Sequence, residues 1–321
     1  MQEKFQIHQF ELPSSLAGRR VDQALAQQLP QYSRSRLQQW IAAGAVLIDG
    51  KVPRPRDVVV GGEAARVEAR LEADTQVKAQ TLPLNVIYED RSIIILDKPA
   101  GRVVHPGAGN RDATLQNALL AYDTRLATLP RAGLVHRIDK DTSGLLVVAR
   151  TIEAHTSLTA SLAEHAVERE YFAVCVGRMT AGGTVDAPIG RHRTQRTKMT
   201  VRGDGRAAIS HYRVQERFRG HTFVRVQLET GRTHQIRVHL AHIGYPIVGD
   251  PLYGGRPKLP PRATPELLAA LATFKRQALH AARLRLAHPA TGEALEFESP
   301  LPLDILQLLD VLRADVAANP A

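Results

Sequence analysis

The sequence predicts an α+β protein in two parts: a small N-terminal module over residues 1–75 and a larger domain over 83–314, joined by a linker at 76–82. Three observations lead there. Two short amphipathic helix patterns in the first part give way to short strand-like runs. Residues 72–81 are polar, carry no period and end at Pro83. Beyond Pro83, continuous apolar runs at 93–96 and 145–149 are interleaved with helix patterns, and a hairpin lies near the C-terminus. A length of 321 residues suits one large domain with a smaller companion.

Composition narrows the class. An apolar share of 44% is that of an ordinary globular chain, and no apolar run nears the roughly 20 residues that span a bilayer. Residues 1–10 lack a signal-peptide core, so the chain is expected in the cytoplasm. A formal net charge of +10 favours an anionic partner, nucleic acid foremost. The single cysteine, Cys175, excludes an internal disulfide and a cysteine-built zinc cage. Its apolar neighbours Ala173, Val174 and Val176 mark it as core.

In the N-terminal module, Gly18-Arg-Arg-Val-Asp22 leads into a helix over 23–29 that Pro30 ends. Ser33 is placed to cap a second helix running to Ala43, with Leu37, Trp40 and Ile41 on one face and Gly44 at its stop. Arg34 and Arg36 lie in the first turn, where the helix dipole disfavours cations, which suggests that they serve a partner. Short strands are expected at 46–48, 58–60 and 65–67, with an Asp49-Gly50 turn and a basic exit through Arg54. The bland alternative is a solvated module whose charges carry no function. The order Gly18-Arg-Arg-Val-Asp22, Ser33-Arg-Ser-Arg-Leu37, Ile41, Gly44, Val46, Asp49-Gly50 resembles the S4 RNA-binding domain. That resemblance implies contact with structured RNA through the basic helix, with Arg34, Arg36 and Arg54 as candidate contacts.

In the larger domain a buried strand at 93–96 precedes His105-Pro-Gly-Ala-Gly109, whose glycines lack the spacing of a phosphate cradle. A helix is expected over 114–122. Residues 133–150 then gather His136, Arg137, Asp139, Lys140 and Asp141, the turn formers Thr142, Ser143 and Gly144, and an apolar strand. Three readings of this knot stay open on the residues alone. His136, Asp139 and Asp141 could bind a metal, though Arg137 and Lys140 place positive charge among the ligands. Asp141, Thr142 and Ser143 could form a plain surface turn. Asp139 could be a reactive carboxylate kept ionised by neighbouring arginines.

Further along, Tyr171 lies in a strand over 169–177, where an isolated tyrosine reads as an ordinary strand aromatic. Residues 191–213 carry seven basic side chains against one acid, Asp204, in a loop-rich stretch that favours contact with an RNA backbone. His234, His239 and His242 have metal-like spacing, but the interleaved Arg232 and Arg237 argue against zinc. A terminal hairpin over 277–298 and an amphipathic helix over 303–312 complete the domain, with 315–321 expected as a flexible tail.

The stretch Gly133-Leu-Val-His-Arg-Ile-Asp-Lys-Asp-Thr-Ser-Gly-Leu-Leu-Val-Val-Ala149 resembles the signature of the RluA-type pseudouridine synthases, and Gly231-Arg-Thr-His-Gln-Ile-Arg237 matches a second motif of that family. The resemblance covers nearly the whole chain. It implies a pseudouridine synthase fold with a mixed, largely antiparallel central sheet and a basic cleft. The implied activity is isomerisation of a uridine within RNA, without metal or other cofactor. It also implies roles: Asp139 as the catalytic residue, Tyr171 against the flipped uracil, and Arg237 paired with Asp139 through a bidentate guanidinium that lowers its pKa. Arg137 would fill the space left by the flipped base. His136, Arg196, Lys198 and Arg232 join Arg137 as candidate RNA contacts. Within the family, the S4 module, His105-Pro-Gly-Ala-Gly-Asn110, Arg196-Thr-Lys-Met199 and Gly249-Asp-Pro-Leu-Tyr-Gly-Gly255 resemble members that act on 23S rRNA, in the hairpin loop reaching the small subunit. The large ribosomal subunit precursor is therefore the expected partner. Another ribosomal or transfer RNA target, or a non-catalytic assembly factor, are the alternatives.

Overall fold

The computed structural model describes residues 5–320 apart from 31, 33, 71–76, 108, 196 and 256–258. The expected cap at Ser33, the RNA contact at Arg196 and the start of the expected linker lie outside the described residues.

The N-terminal module runs β1 (Phe5–Glu11), α1 (Val21–Gln28), α2 (Arg34–Ala42), β2 (Val46–Ile48) and β3 (Ala64–Arg70). Its strands form an antiparallel sheet in the order β1-β3-β2. Leu25, Leu37, Trp40, Ile41, Val46 and Val67 share one core. The strand β1 is absent from the sequence reading because its alternation is inverted. Gln6 and His8 meet the Tyr32 hydroxyl at 3.1 and 2.9 Å while Ile7 stays exposed. The strand expected at 58–60 is corrected: Val58 makes an isolated bridge to Arg20, and the segment is an irregular connection.

The larger domain begins with β4 (Val86–Glu89), β5 (Ile93–Lys98), α3 (Leu115–Tyr122), β6 (Ser143–Ala149), α4 (Ile152–Ala163) and β7 (Glu168–Val176). It continues through β8 (Gly183–Asp186), β9 (Ile189–Arg191), β10 (Met199–Val201), β11 (Ile209–Arg217), β12 (His221–Leu228) and α5 (Gln235–His242). Last come α6 (Pro265–Thr273), β13 (Leu279–Ala287), β14 (Ala294–Glu298) and α7 (Leu303–Ala318).

Nine strands form one sheet in the order β4-β5-β6-β13-β7-β12-β11-β8, with β14 on β13. Among the described strands, β6 and β13 pair in parallel and the other pairs are antiparallel. The expected mixed, largely antiparallel sheet is therefore present. Because β6 is buried along its whole length, its residues divide by the strand period of two between opposite faces. Leu146 and Val148 join one core, and Leu145, Val147 and Ala149 join the other under α4.

Residues 191–213, expected to be loop-rich, hold the antiparallel β9–β10 hairpin and the start of β11. The expected flexible tail is also corrected. Helix α7 continues through Ala318, and buried Asp315 accepts hydrogen bonds from Arg219 at 3.1 Å and the Thr264 N–H at 2.8 Å. Among the described residues, no helix is long and apolar enough to cross a membrane.

Candidate active site

Three successive left-handed residues, Arg131, Ala132 and Gly133 (φ 51°, 53° and 80°), turn the chain into the loop that carries Asp139. A β-carbon on Gly133 would fall 2.0 Å from the Ala149 carbonyl oxygen, so the turn requires glycine. The loop is then fixed from several sides. Thr142 N–H donates to the Asp139 carbonyl at 3.1 Å, and Gln277 holds the Thr142 hydroxyl at 3.1 Å. Buried Lys98 donates to the carbonyls of Pro99, Arg102 and Lys140 at 2.8, 2.9 and 2.9 Å. Burial pulls its pKa down to about 7, yet three acceptors at these distances match the three donors of an ammonium.

Asp139 and Arg237, 98 residues apart, meet: Nη1 of Arg237 donates to Oδ2 of Asp139 at 2.9 Å. The expected bidentate contact lies elsewhere. Nε and Nη2 of Arg237 grip Asp250 at 2.7 and 2.8 Å, and Asp139 receives one bond. The Asp250 side chain is fully buried and also accepts from the N–H groups of Leu252 and Tyr253 at 2.9 and 3.0 Å. Burial opposes the charge on Arg237, but Asp250 and then Asp139 outweigh it and push its pKa above the usual arginine value. The sequence reading missed Asp250. A buried arginine motif calls for a compensating acid, but nothing in the spacing says which one.

His234 caps α5 in a left-handed conformation, φ 57°, a strained position for a non-glycine residue and one typical of functional sites. Its Nε2 lies 3.8 Å from Oδ1 of Asp139, the oxygen that Arg237 leaves free. Its Nδ1 meets the Tyr253 hydroxyl at 2.8 Å, and that hydroxyl accepts from the Met199 N–H at 2.9 Å. The tyrosine therefore donates to Nδ1, which leaves the proton of the neutral ring on Nε2, toward Asp139. Burial lowers the His234 pKa against the pull of Asp139. His239 points away, bonded to Ser210 Oγ and the Ala187 carbonyl at 2.9 Å each. Among the described residues no three His, Cys, Asp or Glu side chains converge as a metal site.

Asp139, Tyr171, Arg237, His136, Arg137 and Arg232 all line one open cavity of about 510 Å³. Its described lining holds one acid, Asp139, against Arg131, Arg137, Arg169, Arg232 and Arg237. Arg137 is exposed, whereas Arg232 donates to the Ala207 carbonyl at 3.0 Å. His136 is neutral. Burial, with Arg169 and His105 adding, pushes its pKa down to about 3, and its Nε2 accepts from the Val147 N–H at 3.0 Å. Burial raises the Tyr171 phenol, Arg169 opposing and Asp139 adding.

Arg34, Arg36, Arg54 and Lys198 lie outside this cavity. Arg34 is tied to buried Asp22 at 2.8 Å, beside Arg20 and Gln38, while Arg36 and Lys198 are half-buried and Arg54 is exposed.

Comparison with known proteins gives this geometry a family. The profile described as RNA pseudouridylate synthase matches residues 92–242, and the S4 domain profile matches 19–64. "Ribosomal large subunit pseudouridine synthase D" of Xanthomonas campestris pv. campestris is 56% identical, covering 97% of this chain and 94% of its own. The chain belongs to the RNA pseudouridylate synthase family. Proteins of the same name from Pseudomonas aeruginosa and Escherichia coli are 57% and 54% identical, covering 95% and 93% of this chain and 95% and 92% of their own. Among solved structures, "Human RNA Pseudouridylate Synthase Domain Containing 4" aligns over 71% of this chain and 93% of its own, with a TM-score of 0.57 and 27% identity. The protein is an RNA pseudouridine synthase with an N-terminal S4 domain. The loop before β6 and the helix α5, which supply Asp139 and Arg237, both fall within the matched catalytic segment.

Proposed function

We propose that this synthase isomerises specific uridines of 23S rRNA, those of the hairpin loop that contacts the small subunit, with Asp139 as the reacting carboxylate. The observation that carries the reading is the seating of Asp139. Arg237 holds one carboxylate oxygen at 2.9 Å, while the other faces His234 at the wall of an arginine-lined cavity. A uridine in folded RNA reaches such a cavity by extrusion, which costs a few kcal/mol of stacking. Arg137, exposed beside Asp139, takes the vacated space, and Tyr171 packs against the uracil.

Ionised Asp139 then attacks C1′ or removes the proton at C2′. On either route the N1–C1′ bond breaks and the uracil leaves with the bonding pair. The base turns, C5 bonds to C1′ as the Asp139–C1′ bond breaks or, on the other route, as Asp139 returns the proton to C2′, and the C5 proton is lost while N1 gains one. Atoms and electrons balance within the nucleotide and Asp139. Arg34, Arg36, Arg54, Arg196, Lys198 and Arg232 are assigned to RNA contact, and His136 to the wall beside the nucleotide. The names of the relatives, which specify the large ribosomal subunit, support a role in ribosome biogenesis in the cytoplasm.

Mapping pseudouridines in RNA from cells lacking the protein tests this. The 23S sites should vanish, return with the wild-type protein, and stay absent with Asp139→Ala. Loss of sites in another RNA would move the target. Restoration by Asp139→Ala would favour a non-catalytic assembly factor.

A further inference from the structure

Arg169 stands apart from the other arginines of the cavity. Strand alternation places it on the same face of β7 as Tyr171, two residues earlier, and it is 8% exposed. No hydrogen bond or ion pair joins its side chain to any described residue, and its Nε is buried without a partner. The acids beside it in sequence lie on the opposite face and are engaged: Glu168 with Arg285 and Glu170 with Arg225, each at 3.5 Å. Room is made for the guanidinium by Gly231, where a β-carbon would stand 2.6 Å from Nη1. A guanidinium this little exposed, with no anion bonded to it, is unfavourable in the free protein. Its retention in a substrate cavity calls for an anion that arrives with the substrate.

The reaction makes such an anion. When N1–C1′ breaks, the bonding electrons leave with the base, and the uracil carries a negative charge spread over N1 and its two carbonyl oxygens. Arg237 already answers to Asp139 and Asp250. Arg131 and Arg137 are exposed to water, where their fields are weak. We propose that Arg169 is a catalytic residue whose guanidinium stabilises the negative charge on the departed uracil. A buried, uncommitted donor already in place is the arrangement in which such stabilisation is largest. The charge is discharged when C5 bonds to C1′, and the C5 proton that then departs is matched by the proton that N1 gains, so Arg169 undergoes no net change. This assignment rests on the reading of Asp139 chemistry given above.

The test is single-turnover kinetics of the full-length protein on a 23S rRNA transcript carrying uridine or 5-fluorouridine at the target, read for both as loss of the N1–C1′ bond, because 5-fluorouridine has no C5 proton to lose. The 5-fluoro substituent makes the base a better leaving group. Arg169→Met should slow uridine conversion by about 10²–10³-fold, the loss seen when one donor to a developing anion is removed. Arg169→Lys should recover part of it. The Met variant's defect should shrink by about tenfold on 5-fluorouridine, because a more stable leaving anion depends less on outside help. Its RNA affinity should be unchanged, and its melting temperature equal to or above that of the wild type, since an unpaired buried charge is gone. Weakened RNA binding with normal turnover would assign Arg169 to a phosphate and overturn the proposal. An equal loss on both nucleosides, or a lowered melting temperature, would overturn it as a structural effect. If Asp139→Ala turns over like the wild type, the underlying reading of Asp139 fails independently of Arg169.

Discussion

Asp139 is held through a guanidinium that is itself held, and the consequences of removing each group differ. Asp250→Ala strips Arg237 of its two shortest bonds and leaves a buried cation with one partner. It should destabilise the fold by about 3–5 kcal/mol, read as a shift in the denaturation midpoint, with turnover falling as Arg237 loses its orientation. A variant of unchanged stability would show that Asp250 is dispensable to the arginine. Tyr253→Phe is a milder change that removes one oxygen while leaving the Met199 N–H and His234 Nδ1 to find new partners. A stability loss of about 1–3 kcal/mol is expected, together with slower conversion at normal RNA affinity. Normal conversion would detach His234 from the chemistry.

Strand β6 and the loop before it depend on glycine where two backbones meet. Gly144 has φ 110°, and a β-carbon there would lie 2.1 Å from the carbonyl oxygen of Ala281 on β13. Gly144→Ala should therefore fail to give folded protein, observed as loss of soluble yield; a folded, active variant would refute this view of the β6–β13 junction. This element shows what the residue pattern conveys and what it withholds. An unbroken apolar run announces β6 because burial on both faces leaves no polar position. Motif resemblance pairs Asp139 with Arg237. Asp250 lies in the quoted motif Gly249-Asp-Pro-Leu-Tyr-Gly-Gly255 but escapes as the partner of Arg237, because spacing does not pair them, and Arg169 escapes because a strand arginine reads as solvent-facing; both are defined by burial, which belongs to the assembled fold. Strand β1 escapes for the opposite reason, since its polar residues face inward to Tyr32.

Across the whole molecule, charge governs how the protein responds to its medium. Net charge of +10 and arginines at both domains predict that log affinity for RNA falls steeply with log salt; a flat dependence would remove the proposed RNA surface. Acid acts through buried histidines. Burial lowers the pKa of His136 to about 3 and those of His105, His155 and His221 to about 4, from an ordinary 6.5. Below pH 6.5 the unfolded chain therefore binds more protons than the folded one. Their contribution to stability is complete above that value and is lost as pH falls toward 4, so the urea midpoint should drop between pH 7 and 5. A constant midpoint would mean that these rings charge freely in the fold. The sheet order carries one more consequence, for synthesis. Strand β6 sits between β5, which precedes it, and β13, whose residues are made more than a hundred positions later. A nascent chain on the ribosome can pair one edge of the strand that follows the Asp139 loop early, but the other stays open until residues 280 and 281 have emerged. The catalytic cavity, which Leu279 of β13 helps to line, is thus incomplete until translation is nearly finished, and chains released before β13 have no means of closing the site.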